Sequence, residues 1–278
     1  MDILLIASKV SHFSDHNIYT DDEQKLDILN KYNKGLVSNY SKNNKKKYNT
    51  IIDNYNDNEC DKIISDLNVV DSEKSKILES DTENKKNIIK NKIKIIVNKS
   101  ISAKKEEDSS QIINTISDNK LKDIITEDVS LKRGILKEDN NLNTYNKKYN
   151  VIVANRDKYF IKKLTTFEYN NKTINIIVCG RVDGIIDDLL IESKNRRNRL
   201  FNYIPIYERV QLEMYLYLTD LKKCSLIQHY NEEIKVLNYV KDDDFFTEIC
   251  CNLTSYFKNM FDKNILNIEY NDNKKRRI

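Results

Sequence analysis

Three side chains in the stretch Gly180 to Lys194, GRVDGIIDDLLIESK, have types and spacing suited to phosphodiester chemistry. One apolar run ends in Asp183, a short turn-like segment follows, and a second apolar run carries Glu192 and Lys194. If that second run is a strand, its side chains alternate faces. Glu192 and Lys194 then point the same way, roughly 6–7 Å apart along the strand, while Ile191 and Ser193 point the other way. Two carboxylates and an ammonium would meet at the rim of a small sheet. Charge placed among Leu and Ile must be solvated, paired or bound to metal. Mg2+ takes hard oxygen ligands, commonly one or two carboxylates with waters and substrate phosphates. Asp183 and Glu192 offer the carboxylates and the carbonyl of Ser193 a further oxygen, with Mn2+ as the expected substitute. Such an ion acidifies a water and polarises a phosphoryl oxygen. Lys194 would orient or help deprotonate that water, or offset charge developing on the phosphorane. The competing reading is a surface hairpin with an ordinary Glu–Lys pattern; the apolar lead-ins on both runs weigh against it.

Neighbouring residues extend the pattern. Arg181 precedes Asp183 by two and would share its strand face, within reach of a phosphate or an acid. Asp187 and Asp188 shape the connection between the strands. Arg196, Arg197 and Arg199 follow the second run directly and suit bidentate phosphate contacts. Such contacts would be independent of sequence and sensitive to salt. Lys45, Lys46 and Lys47 form a weaker basic cluster. His12, His16 and His229 are scattered and suggest neither a nucleophile nor a zinc site. No phosphate-binding Walker loop is present, so ATP hydrolysis is not expected.

The elements that must position these residues are legible mainly after Ser130. Tyr159–Tyr169 reads as a strand, Asn170 to Lys172 as a turn, Thr173–Asp183 as the next strand and Asp188–Lys194 as the third. The only proline, Pro205, opens a helix with Val210, Met214, Tyr217 and Leu221 on one stripe and Gln211, Tyr215 and Leu218 beside it. Two strands around Asn231 and Glu232 follow. The last helix starts at Asp242 to Asp244 and turns Ile249, Leu253, Phe257 and Met260 to the core. Before the first of these strands a helix spans Arg133 to Leu142, with Ser130 as its cap. The order predicts a mixed α/β domain, one central sheet with helices packed on it.

The 278 residues allow one large domain or two small ones. The boundaries expected are an N-terminal helical part of that domain over 1–32, a charged, partly helical or disordered insertion over 33–129, the core over 130–262 and a basic tail over 263–278. Ile88, Ile89, Ile93, Ile95, Ile96 and Val97 are the main apolar interruption in the insertion. A net charge of +4 says little about partners. The five cysteines form no CxxC pair, and Cys250 and Cys251 read as packing in an apolar helix. The opening MDILLIASKV is too short for a signal peptide and no run reaches membrane-spanning length. A protein of a reducing compartment, not secreted and not in a membrane, is expected.

Asp183 with Glu192-Ser193-Lys194 resembles the core motif of the PD-(D/E)xK nuclease superfamily, and within it the phage-exonuclease and YqaJ-like viral recombinase branch. Gly134-Ile-Leu-Lys-Glu138, preceded by Arg133, is similar to that branch's G-x-x-x-E helix. Gln211 and Tyr215 match the glutamine and large residue of its following helix. Ala7, Ser8, Asn17 and Tyr19 resemble its opening segment, with His16 where a glycine usually stands. The resemblance covers about 1–32 and 130–262 and implies a restriction-endonuclease-like core, a central mixed sheet flanked by helices. It makes Glu138 a third acid, binding the ion directly or through water, and places Gln211 beside Lys194 or the scissile phosphate. Arg133 and Tyr215 join the arginines as DNA contacts. A close approach of another helix or of DNA would explain Gly134. The function implied is a Mg2+-dependent exonuclease acting on duplex DNA with a free end, in recombination or repair, encoded by a large DNA virus or phage. It would work in the host cytoplasm or nucleus, alongside a single-strand annealing protein and as a homo-oligomer. A structure-specific endonuclease and a non-catalytic DNA-binding protein of the same fold remain the alternatives.

Overall fold

The structure is a computed structural model in which residues 1–38, 48–67 and 76–270 are described. Lys45, Lys46 and Lys47, and the tail from 271 onward, lie outside the described residues.

Among the described residues seven strands form two sheets, one of three strands and one of four, and a local turn sets a hairpin in each. β2 (Tyr159–Tyr169) and β3 (Lys172–Arg181) form an antiparallel hairpin. Its turn is Asn170-Asn171, both with positive φ, 46° and 59°, the conformation that asparagine tolerates best after glycine. β1 (Asp2–Ile6) lies parallel on the other side of β3, Leu4 opposite Ile177. The chain then leaves this sheet, and β4 (Gly184–Ile186) and β5 (Leu189–Asn195) form a second hairpin turned by Asp187 at φ 51°. β6 (Lys223–Tyr230) adds parallel to β5 and β7 (Glu233–Val240) antiparallel to β6.

The mixed α/β class expected from sequence is what forms. Two details differ. The sheet is divided where the chain bends at Val182–Asp183, and the opening apolar residues are a strand because β3 offers them a parallel edge.

Eight helices are described. α1 (Asp22–Tyr32) is capped by Asp21, whose carboxylate accepts from Gln24 N. α2 (Tyr48–Asp53), α3 (Asp57–Asp66), α4 (Thr82–Ser102) and α5 (Glu106–Ile113) fall in the polar stretch. α6 (Asn119–Tyr149) joins that stretch to the sheets. α7 (Ile206–Thr219) is the crossover that parallel β5 and β6 require, and α8 (Asp243–Asp262) closes the chain's core. Ile249, Leu253, Phe257 and Met260 of α8 are all buried, as their spacing predicted. Cys251 is exposed rather than packed.

Where sequence suggests solvated helices in the polar stretch, the described helices bury an apolar face instead. Ile51, Ile52, Cys60, Ile63, Ile64, Ile89, Ile93 and Val97 share a buried cluster with Leu121, Ile125 and Val129 of α6. Lysine and asparagine dominate the composition, yet isoleucine recurs on one face of each helix, which is enough to build a second core.

α6 corrects two expectations. Ser130 is no cap: it lies in mid-helix, donating to the Thr126 carbonyl at 2.7 Å, and the cap is Asp118. The helix therefore runs straight through the boundary at residue 130. Its two halves use opposite faces. Leu121, Ile125, Val129 and Arg133 repeat every four residues toward the helical cluster. Leu142 and Tyr145, half a turn around, pack with Ile191 of β5 and Ile227 of β6. Glu138 sits on that second face.

Candidate active site

Asp183 lies just past the end of β3 and just before β4. Its Oδ2 accepts from the backbone N–H of Ser193 at 2.7 Å. The carboxylate takes the place of a ladder carbonyl and fastens Asp183 beside Glu192 on β5. Two glycines make room for it. A Cβ on Gly180 would stand 2.7 Å from the Tyr215 ring and 3.1 Å from Ala7 Cβ, and one on Gly184 would stand 2.0 Å from Val153 Cγ1. Those contacts bring β3, β4, α7 and the opening segment together around residue 183.

Glu192 and Lys194 share a face of β5, as the two-residue period predicts. Lys194 Nζ donates to Glu192 Oε1 at 2.7 Å and to Gln211 Oε1 at 3.1 Å. Gln211 Nε2, from α7, donates to the same Glu192 Oε1 at 2.7 Å. Glu192 is 2% exposed, and its second oxygen, Oε2, is buried with no hydrogen-bond partner among the described residues.

The electrostatics identify a crowded acidic centre. Burial pushes the Asp183 carboxyl well above the usual aspartate range, and the charges of Glu192 and Glu138 push it further. Burial and then Glu192 raise the Glu138 carboxyl as well, which places these three acids in one field. For Lys194 burial works to lower the pKa. Glu192 and Asp183 outweigh it and hold the amine above the usual lysine value.

The residues fit a small hard cation. A buried carboxylate oxygen without a donor, next to a second carboxylate held ionised only at a cost, is what a divalent ion relieves. Among the described residues no group of three or more His, Cys, Asp or Glu side chains is placed to hold a metal ion.

The structure redistributes the expected DNA contacts. Arg133 is 2% exposed and closes the end of α4. It donates to the carbonyls of Ser100, Ile101 and Ala103 at 2.8, 3.0 and 2.7 Å and pairs with Glu106 at 2.8 Å. Arg196 is likewise buried, forked onto Glu208 at 2.5 and 2.7 Å and onto Gln228 at 2.7 Å. Tyr215 is buried against Gly180, so it is a packing residue. None of these three is free to touch DNA, because each satisfies partners inside the fold.

Arg181 is exposed but points to the Asp157 carbonyl, 2.8 Å away, and its guanidinium lies over Tyr159. β3 ends at Arg181, so the alternation that would have put it beside Asp183 stops there. Arg197 donates to Ser130 Oγ at 3.2 Å, and Arg199 is exposed above Phe201. Neither forms an ion pair with a described residue. Gly134 has open space on the side a Cβ would occupy, so no close helix approach accounts for it.

Sequence reasoning passed over Glu106 and Glu208. Glu106, 3% exposed, binds Arg133, Lys137 at 2.6 Å and Asn195 Nδ2 at 3.1 Å. Asn195 immediately follows Lys194, so this glutamate ties the helical part to the end of the strand that carries the site. Burial opposes its ionisation, but Arg133, Lys137 and Asn195 hold its carboxyl below the usual range. The available signal was a glutamate inside an otherwise buried helix face, as with Glu208 on α7.

No family model matches the chain, and no curated protein matches it in sequence. Solved structures distantly similar in fold include two exonucleases. One is an alkaline exonuclease from Laribacter hongkongensis in complex with dAMP, 12% identical, covering 60% of this chain and 87% of that one at a TM-score of 0.35. The other is a phage-related exonuclease from Haemophilus somnus, 9% identical, covering 74% of this chain and 95% of that one at a TM-score of 0.34. Likeness of this degree says nothing about activity, which rests on the side chains. Among the described residues no helix is long and apolar enough to cross a membrane.

Proposed function

We propose that the chain is a divalent-cation-dependent deoxyribonuclease that hydrolyses phosphodiester bonds. Asp183, Glu192 and the carbonyl of Ser193 would hold Mg2+, with Glu138 reaching it through water. The observation that carries this reading is the buried Glu192 carboxylate, with Oε1 on Lys194 and Gln211 and Oε2 unpartnered beside Asp183. When bound, the ion supplies Lewis acidity to the phosphoryl oxygen and acidifies the attacking water.

The protein's own groups divide the remaining work. Lys194 is an ammonium at neutral pH, because Glu192 and Asp183 outweigh its burial. Its part is to offset charge developing on the scissile phosphate and to orient the water, rather than to remove a proton. Gln211 touches both Lys194 and Glu192, so it positions the amine. Glu138, on the α6 face that meets β5, would position the water. The water gives up a proton to solvent and its oxygen bonds to phosphorus, while the bond to the sugar oxygen breaks and that oxygen takes up a proton from solvent, leaving the protein unmodified. Arg197 and Arg199 supply phosphate contacts that do not depend on sequence.

The motif resemblance supports the finer reading: a duplex end as substrate, trimmed in recombination or repair at a viral replication site. A single-strand annealing partner and a homo-oligomer belong to that same reading. The test is end-labelled linear duplex against closed circular duplex, each with and without Mg2+. Loss of linear DNA alone, dependent on Mg2+ and absent in Lys194→Ala, is expected. Nicked or cut circles would replace the exonuclease with an endonuclease. DNA binding in Mg2+ without cleavage of any substrate would leave a non-catalytic binding protein.

A further inference from the structure

Four rings gather near the start of α7, the helix that carries Gln211. Tyr19 and Tyr207 meet edge to face, centroids 6.3 Å apart at 84°. Phe201 and Tyr203 stack, centroids 5.8 Å apart at 19°. Arg196 connects the two pairs: its guanidinium lies 4.6 Å from the Phe201 centroid and forks onto Glu208, the residue that follows Tyr207. Tyr207 is one helical turn before Gln211, so the row leads to Lys194.

Two of these rings are exposed yet firmly mounted. Tyr19 is 77% exposed and Tyr203 63%. The Tyr19 N–H donates to Asn17 Oδ1 at 3.1 Å, and the next residue, Thr20, bonds His12 through its hydroxyl. Phe201 is gripped from both sides by Gln228, which accepts from its N–H and donates to its carbonyl, each at 3.1 Å. Arg196 lies against one ring, 4.6 Å from the Phe201 centroid, and exposed Arg199 lies 5.9 Å from it.

We infer that the row Tyr19, Tyr207, Tyr203 and Phe201 is a stacking platform for unpaired bases of a DNA strand at the carboxylate site. Exposed tyrosine faces on a pinned backbone, with a free arginine at one end, are the combination that single-stranded nucleic acid uses: every base has a face to stack and a phosphate to neutralise. Tyr207 stands one helical turn before Gln211, which bonds Glu192 and Lys194, so a strand running along α7 to those residues would meet the row. This inference rests on the nuclease reading and adds the single-stranded character of what is held.

The test is binding of a fluorescein-labelled single-stranded oligodeoxynucleotide in EDTA, compared with an abasic strand of equal length, using the full chain. The wild type is expected to prefer the strand with bases. Tyr19→Ala and Tyr203→Ala should each reduce binding of that strand about five- to tenfold, at the lower end of what one stacked base contributes, and leave the abasic strand unchanged. Tyr19→Phe should keep the preference, since the ring and not the hydroxyl acts. Equal binding of both strands by the wild type, or a preference untouched in both alanine variants, would overturn the platform. Mg2+-dependent cleavage measured in parallel separates the two failures: cleavage with no base preference sinks the platform alone, and absence of both sinks the nuclease reading with it.

Discussion

Glu192 gives one carboxylate oxygen to Lys194 at 2.7 Å and keeps the other buried without a partner among the described residues. That asymmetry separates the pair from a structural salt bridge such as Arg196–Glu208, where both carboxylate oxygens are taken. A buried carboxylate left half satisfied is costly, and the cost is explained if a cation completes it.

The first consequence concerns cleavage. Glu192→Gln, Asp183→Asn and Lys194→Ala should each lower Mg2+-dependent hydrolysis by about 10²–10³-fold or more, the scale of losing one preorganised charge at a transition state. Circular dichroism of the three proteins should match the wild type. Full activity in purified Lys194→Ala would remove the site assignment.

Gln211 should behave differently. It holds Lys194 and Glu192 rather than the phosphate, so Gln211→Ala should lower kcat about 10–100-fold, as loss of an orienting partner does, with KM little changed. Gln211→Glu should not restore the rate, because it removes the donor to Glu192 Oε1. A rise in KM at constant kcat would instead make Gln211 a substrate contact.

Asp183 makes a prediction about stability with a definite sign. Its carboxyl pKa is raised in the folded protein, so the native state holds the proton more tightly than the unfolded chain. The native state keeps that advantage below the unfolded pKa and loses it as the pH rises through the folded one. Above the unfolded pKa, without metal, the buried carboxyl is a liability that an asparagine lacks. Asp183→Asn should therefore melt above the wild type in EDTA at neutral pH, with the gap closing as the pH falls to about 4. Mg2+ should raise the Tm of the wild type and not of the variant. A variant that melts lower at every pH would contradict the crowded-acid account.

The arginines split into two classes that denaturant titration and DNA binding can tell apart. Arg196→Ala leaves buried Glu208 without its counter-ion, and Arg133→Ala takes one of two cations from Glu106 and the donor from three carbonyls at the end of α4; each should cost about 3–5 kcal/mol of stability. Arg199→Ala should leave stability unchanged, weaken DNA binding across all sequences, and reduce the salt slope by about 1. A normal melt for Arg196→Ala would mean that its fork on Glu208 contributes nothing.

Local patterning alone specified much of this protein. Alternation put Glu192 and Lys194 on one face of β5, the asparagine pair turned the β2–β3 hairpin, and Pro205 and Asp242 started their helices where expected. Those features depend on residues within a few positions of each other, so a linear reading reaches them. Only tertiary structure decided the rest. Arg133 and Arg196 looked like surface charge until α4 and α7 supplied buried partners from 33 and 12 residues away. The opening residues became a strand because β3, more than 170 residues later, offered an edge. Gly180 mattered because a distant tyrosine ring needed its missing Cβ. Charge, burial and edge pairing are settled by which surfaces meet, and a sequence read in order carries no record of that meeting.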